Sequence, residues 1–411
     1  MARIGKAKNL ADWFDQRLAT NKLLEVMMTK YWIPKNINWL WAMGVVLTVL
    51  FSLLVVSGIF LLMYYKPDEN LAYDSVNYTI MQEVAFGWLW RHIHAVAASM
   101  VFVIIYIHMF VAIYYGSYKN GREMIWISGM LLFVVFSAEA FSGYMLPWGQ
   151  MSYWAAAVIT NLFGGIPFIG SDVVEWVRGN YVVADSTLTR FFMLHVFLLP
   201  VAILGLIAMH FYALRKPHVN NQEGEEIDFE AEAERYMAGD KKRAKVIRFW
   251  PDFLCKDIFI ISLFMILFFA LVCYHFDFAM DPINFERANP LATPPHIYPE
   301  WYFLWSYEVL RGIFFSANLG LVFFGVAQGV FLLLPWLDMS NVVKPAHKRP
   351  GFLIFFILLI IDLIVLTIYG KLPPDGSAKY VGLAASLGFM VLLFIVLPLV
   401  TLSERKQGGD L

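Results

Sequence analysis

Charge is scarce in this sequence. Only 15% of its 411 residues are Asp, Glu, Lys or Arg, and the formal net charge is -1, whereas a soluble domain is about a quarter charged. The near-zero balance lacks the overall excess of positive charge that marks a nucleic-acid binder. Cysteine is scarcer still: Cys255 and Cys273 are the two in the chain, both in or beside apolar runs. They make no disulfide framework, no zinc or iron–sulfur spacing and no CxxCH attachment motif, so any redox centre must use other ligands. Residues 1–30 lack the continuous apolar core of a signal peptide. They read as an amphipathic helix lying on a membrane surface. Low-complexity tracts and internal repeats are also missing.

What is abundant is apolar surface: 60% of the residues are hydrophobic and the mean hydropathy is +0.62. A membrane-crossing helix needs about 20 mostly apolar residues. Eight stretches qualify: 39–64 (α1), 84–115 (α2), 124–146 (α3), 189–214 (α4), 257–276 (α5), 316–337 (α6), 351–369 (α7) and 379–402 (α8). Basic residues gather in residues 1–36, in the α2–α3 loop (Lys119, Arg122), in the α4–α5 loop (Arg215 to Arg248), in the α6–α7 loop (Lys344, Lys348, Arg349) and in the tail (Arg405, Lys406). The alternate loops hold few, so the positive-inside rule places both termini in the cytoplasm. An even number of spans agrees. On the far side, residues 147–188 and 277–312 are too long for plain connectors and read as interfacial loops that roof a pocket. The charged stretch 219–248 reads as a flexible insert or a partner-facing surface.

Ionisable groups inside a span are costly and functional by default. His94 and His108 lie 14 apart on α2, and His195 and His210 lie 15 apart on α4. Fourteen residues are about 21 Å and nearly four whole turns, so each helix presents two histidines at two depths. Both helices run the same way across the membrane. His94 therefore matches His195 near the far side, and His108 matches His210 near the cytoplasm. Each pair can hold one haem iron between two imidazoles. His92 lies on another face. Gly44 and Gly58 on α1, and Gly129 and Gly143 on α3, repeat the spacing of 14; glycine lets a helix approach a wide porphyrin closely. A lone histidine is as well explained by an interhelical hydrogen bond, and a lone glycine by packing. Four histidines at two levels with two matching glycine pairs are not. The expected fold is an all-α integral membrane protein of eight helices, the first four forming a dihaem four-helix bundle.

At this point the sequence resembles the cytochrome b family, over nearly its whole length. WRHIHAVAAS, YIHMF and YYGSYK look like the family's first ligand helix, and RFFMLHVFLLP (190–200) like its second. GYMLPWGQMSYW (143–154) resembles the end of its third helix, and TPPHIYPEWYFLW (293–305) contains the specific PEWY signature. The resemblance implies two b-type haems, low-potential at His94 and His195 and high-potential at His108 and His210, with ubiquinol and ubiquinone as substrates. It implies the cytochrome b subunit of a bacterial ubiquinol–cytochrome c reductase, with a Rieske iron–sulfur protein, a cytochrome c1 and a second copy of the chain as partners. Proton translocation would follow from a Q cycle across the inner membrane.

By the same resemblance, Pro299, Glu300, Trp301 and Tyr302 form the quinol oxidation site, bordered by Tyr144, Gly143 and the Pro147-Trp148-Gly149 turn, with Glu300 taking a proton. Lys256 and Asp257 match a pair at the quinone reduction site, Asp257 as proton donor. Arg91 and Arg190 lie at the outer haem level, where forked donors suit propionates. The pattern also departs from the family. The spacing of 15 on α4 needs a kink or bulge, for which Pro200 is placed. Arg215-Lys216 stands where mitochondrial relatives carry a quinone-site histidine, leaving His218 as the nearest substitute. Val111 replaces an arginine near the inner haem, leaving Lys119 and Arg122 as its basic neighbours. Helices α5–α8 in one chain, and no cysteine in α1, favour the bc type over the chloroplast bf type.

These readings divide the chain into an interfacial segment 1–38, the dihaem bundle 39–218, a charged loop 219–256 and a C-terminal helical region 257–411. Two alternatives differ in class. A dihaem anchor of another oxidoreductase would have fewer spans and no PEWY loop. A proton-coupled transporter would show repeats and broken helices at the midplane.

Overall fold

The computed structural model describes residues 8–19, 21, 28 and 30–407. Of the expected interfacial segment, Leu10–Leu18 is helical and capped by the Asn9 side chain, which accepts from the Asp12 amide. Residues 1–7, 20, 22–27 and 29 of that segment, and 408–411 at the other end, lie outside the described residues.

Among the described residues, seven helices are long and apolar enough to cross a membrane: Trp39–Leu62 (α1), Gly87–Tyr114 (α2), Glu123–Met145 (α3), Asp185–Arg215 (α4), Phe249–Tyr274 (α5), Pro350–Lys371 (α7) and Ala378–Arg405 (α8). The chain is therefore a multi-pass membrane protein. The stretch expected as α6 is shorter, a 16-residue helix over Ala317–Leu332. That is about 24 Å of rise against a hydrocarbon core of about 30 Å. Sequence explains both of its ends. The Ser316 hydroxyl caps the first turn by accepting from the Leu319 amide. At the other end Pro335 has no N–H to offer the Phe331 carbonyl one turn back. The indole Nε1–H of Trp126 on α3 donates to that carbonyl instead, at 2.7 Å in a buried setting. Trp126→Phe should leave the carbonyl unsatisfied and cost about 1–3 kcal/mol. A lower midpoint in thermal unfolding of the purified protein checks this.

Three spans contain a π segment: α5 opens on one, Phe249–Phe253, and α4 and α8 each hold one within the helix. In α4 the Leu199 amide bonds back five residues to Leu194, making a π segment over Leu194–Leu198. In α8 Leu397 does the same to Leu392. Each of these last two segments ends two residues before a proline, Pro200 or Pro398. A proline lacks the N–H for the i−4 carbonyl and its ring crowds that carbonyl, so the turn before it opens. The opened turn in α4 starts at Leu194, contains His195 and absorbs one residue, which accounts for the spacing of 15.

Helix α1 packs along α2 and α3 along α4, while α5 lies against α2. The surface of the bundle stays apolar, as lipid contact demands. Ile258, Phe259, Ile266 and Leu267 on α5 are all exposed. Contacts between loops define two ends. At one end, strand Trp32–Pro34 pairs antiparallel with Val246–Arg248 of the charged loop, Lys35 donates to the carbonyls of Lys241 and Lys242, Arg122 to those of Pro217 and His218, and Lys348 pairs with Glu223. The stretch 219–248 is thus built into the molecule and carries its own helix, Phe229–Met237. Beside it, Asp338 is buried between Lys119 at 2.6 Å and Arg349 at 3.4 Å, and Arg349 also holds Glu404. Burial pulls the Lys119 ammonium down to about 8 even though Asp338 opposes this.

At the other end the loop after α5 is tied to the loops after α1 and α3. Arg287 pairs with Asp74 and Tyr73 donates to the Phe285 carbonyl. The Gln150 amide donates to Glu286, and its side-chain carbonyl accepts from the Asn289 amide at 2.6 Å.

Candidate functional site

The four histidines meet in the expected pairs. The rings of His94 and His195 have centres 6.1 Å apart, and those of His108 and His210 6.4 Å. A metal–imidazole bond is about 2 Å long and the ring centre lies roughly 1.1 Å beyond the nitrogen, so one ion between two imidazoles sets the centres about 6.3 Å apart. Both pairs match that distance. Each pair is bis-histidine, the donor set of a six-coordinate haem iron. Among the described residues, no group of three or more His, Cys, Asp or Glu is gathered as a metal cluster.

Which ring nitrogen is free follows from the hydrogen bonds of the other. The Ser57 hydroxyl spends its proton on the Leu53 carbonyl at 2.6 Å. Its lone pair is left to accept from His94 Nδ1–H at 2.9 Å. Ser128 repeats this, donating to Ile125 and accepting from His210 Nδ1–H at 2.9 Å. His195 Nδ1 faces the Glu139 main-chain carbonyl at 3.0 Å, which can only accept. In all three rings Nδ1 therefore carries the proton, and the Nε2 lone pair is available to a metal.

The glycines face these same rings. A Cβ on Gly44 would lie 3.6 Å from His108 Cε1, on Gly58 3.4 Å from His94 Cε1, and on Gly129 3.3 Å from His210 Cε1. On Gly143 it would overlap the His195 ring. Glycine at each level thus lets the ligand helix sit close to its neighbour. The serines escaped the reading of the sequence, though a signal was there. Ser57-Gly58, Ser128-Gly129 and Ser142-Gly143 are Ser-Gly pairs at three of the four glycines.

The PEWY segment docks on one face of α2, at Ser99, Phe102 and Tyr106. Trp301 Nε1 donates to Ser99 Oγ at 2.8 Å. The Tyr302 ring stacks on Phe102 at 3.9 Å between centres, and the Tyr302 carbonyl accepts from the Tyr106 hydroxyl at 2.6 Å. Pro299 lines a cleft with Ala155, Val158, Ile159, Ile297 and Tyr298. The helix Gln150–Leu162 forms its opposite wall. Behind it, the Tyr144 hydroxyl bonds Glu300 and the side chain of Asn284. Burial pushes the Glu300 carboxyl up to about 7, and the nearby Asp281 charge adds to the rise. The Tyr144 bond and Lys371 work against it.

At the opposite end Asp257 is 2% exposed with Oδ2 unpartnered among the described residues, in the first turn of Leu254–Tyr274. Its neighbour Lys256 is exposed. His218 lies between Phe229 and Tyr31, at 4.1 and 5.6 Å between ring centres. Tyr31 packs in turn on Phe249, which precedes the helix that carries Asp257. Burial lowers the His218 imidazole, and Arg122 and Arg215 lower it further. Lys119 and Arg122 prove unsuited to the inner haem edge. Lys119 is spent on Asp338 and the carbonyls of Ser340 and Val342, and Arg122 on Pro217 and His218. Arg91 sits one turn before His94, while Arg190 is exposed and lies over Gly179.

Comparison with known proteins gives the family. Family models described as cytochrome b/b6/petB and as the C-terminal part of cytochrome b/b6 with petD match residues 28–218 and 287–390. The chain is 42% identical to cytochrome b of Rhodobacter capsulatus, over 91% of this chain and 87% of that one. The chain belongs to the cytochrome b family. A cytochrome b is a subunit of complex III, a quinol–cytochrome c oxidoreductase, and its family binds b-type haem. Identity to cytochrome b of Cereibacter sphaeroides is 40%, over 90% of this chain and 85% of that one. A solved chain of a hyperthermophilic respiratory complex III superposes with a TM-score of 0.88 at 38% identity, covering 97% of this chain and all of that one.

Proposed function

We propose that this cytochrome b oxidises quinol beside Glu300, reduces quinone beside Asp257, and carries electrons between them through two b haems. The observation that carries the reading is the pair of imidazole pairs, each spaced for one iron, at two depths of one bundle. The haems, when bound, supply one-electron redox chemistry at those depths.

The chain's own residues do the rest. His94 with His195, and His108 with His210, would hold the two irons through Nε2. Ser57, Ser128 and the Glu139 carbonyl fix the tautomers. Glu300 binds the quinol hydroxyl and takes its proton. Tyr144 orients the Glu300 carboxyl, while Pro299, Tyr302 and Gly143 shape the pocket. At the other end Asp257, with Lys256 and His218, supplies a proton to quinone. Arg91 and Arg190 would supply the forked donors for the propionates of the haem held at His94 and His195.

Orientation follows from the basic loops, which share the end that holds Asp257 and His218. That end is cytoplasmic by the positive-inside rule, so quinol oxidation and proton release are periplasmic and quinone reduction takes protons from the cytoplasm. With α6 as an eighth crossing, both termini are cytoplasmic. The chain then sits in the bacterial inner membrane, as a homodimer with a Rieske protein and cytochrome c1. A redox titration of the purified protein followed by reduced-minus-oxidised spectra tests the reading. Two b-type components per chain at separate potentials are expected. A folded preparation with one component or none overturns it.

A further inference from the structure

The two histidine pairs are not equivalent around their outer ring nitrogens. His94 and His210 each give the Nδ1 proton to a serine hydroxyl, a neutral acceptor. His195 is different: its Nδ1 lies 3.0 Å from the Glu139 main-chain oxygen and 3.1 Å from that residue's carboxyl Oε1. The main-chain oxygen is also shared with the Ser142 hydroxyl at 2.9 Å. Glu139 stands one helical turn before Gly143, whose missing side chain makes room for the same ring. Its Oε2 is buried and has no hydrogen-bond partner among the described residues, so the carboxyl has His195 as its polar contact. Among the described residues it is the one acidic side chain in contact with a ligand histidine.

We propose that Glu139 is a positioning residue that holds the haem at His94 and His195 at a lower potential than the haem at His108 and His210. This rests on the haem reading given above. A carboxyl acceptor on Nδ1–H makes the imidazole more basic. The ring then donates more strongly through Nε2 and favours the oxidised over the reduced iron. Serine hydroxyls do this less. The difference between the pairs makes electron transfer from the Glu300 end toward the Asp257 end downhill.

Glu139→Gln keeps size and an acceptor atom but removes the carboxyl. A potentiometric titration of the purified complex, with the EPR spectrum of each oxidised haem, tests the proposal. At a fixed ambient potential the reduced-to-oxidised ratio of the outer haem should rise about tenfold, which is 59 mV for a one-electron couple. Its EPR signature should change, and the inner haem should keep its potential. Glu139→Ala, which leaves the main-chain carbonyl as the acceptor for His195 Nδ1, should give a similar rise. If the wild type binds two haems and both variants keep the outer potential, the proposal falls while the haem reading stands. If the wild type lacks two haems, the haem reading itself has failed.

Discussion

Replacing His195 by alanine should remove one haem of two and leave the other spectrally intact; His210→Ala should remove the other. The argument is geometric. Each iron would be held by rings facing each other from α2 and α4 at 6.1 and 6.4 Å between centres. Deleting one ring leaves a single ligand and an apolar gap. The levels are independent because about 21 Å of helix separates them, and each has its own serine or carbonyl partner and its own facing glycine. Haem per chain in a pyridine haemochrome assay should halve in either variant. Redox titration should identify which component is lost: the lower-potential one with His195, the higher with His210. Added imidazole should restore part of the lost component, since the space vacated has the shape of the ring. Loss of both haems in each single variant, with the fold retained, would refute two separate sites.

Much of this site is legible in the sequence because its information is periodic. A spacing of 14 on three helices means the same face at two depths, whatever the tertiary details. The pairing then follows from two helices running in one direction. Family resemblance supplies roles for Glu300 and Asp257, which spacing alone does not. What the sequence hides is set by contacts between distant segments. The strand pairing of Trp32–Pro34 with Val246–Arg248 joins segments more than 200 residues apart, and its two short runs carry no alternating pattern long enough to announce it. The length of α6 is decided by Pro335 and by an indole from α3, so hydropathy overestimates it. Lys119 and Arg122 look free in the sequence, yet the fold commits each to a neighbouring loop. Glu139 is invisible to motif reading because its meaning comes only from the ring it touches. Pro200 was informative: an extra residue next to a proline signals an opened turn, and one is found there.

Glu300→Gln should slow quinol oxidation on the order of 100-fold, the lower range for a positioned proton acceptor, with both haems still bound. The wild-type enzyme should also show a pH dependence whose sign is fixed by the surroundings of this carboxyl. Burial, and then the Asp281 charge, hold it up at about 7. Only the ionised form can take the hydroxyl proton. The rate should therefore be low below this value, rise as pH passes through it, and level off above. In the glutamine variant this limb should vanish, since an amide does not titrate. Asp281→Asn removes a charge that opposes ionisation of Glu300, so the limb should move to lower pH at an unchanged plateau. Tyr144→Phe removes the bond that favours the carboxylate, so the limb should move to higher pH. Opposite shifts in two variants on either side of one carboxyl are hard to produce by general damage to the fold. Pre-steady-state reduction of the haems by quinol, measured between about pH 5 and 9, reads these limbs directly. A rate that keeps the same rising limb in Glu300→Gln would assign the proton to another group.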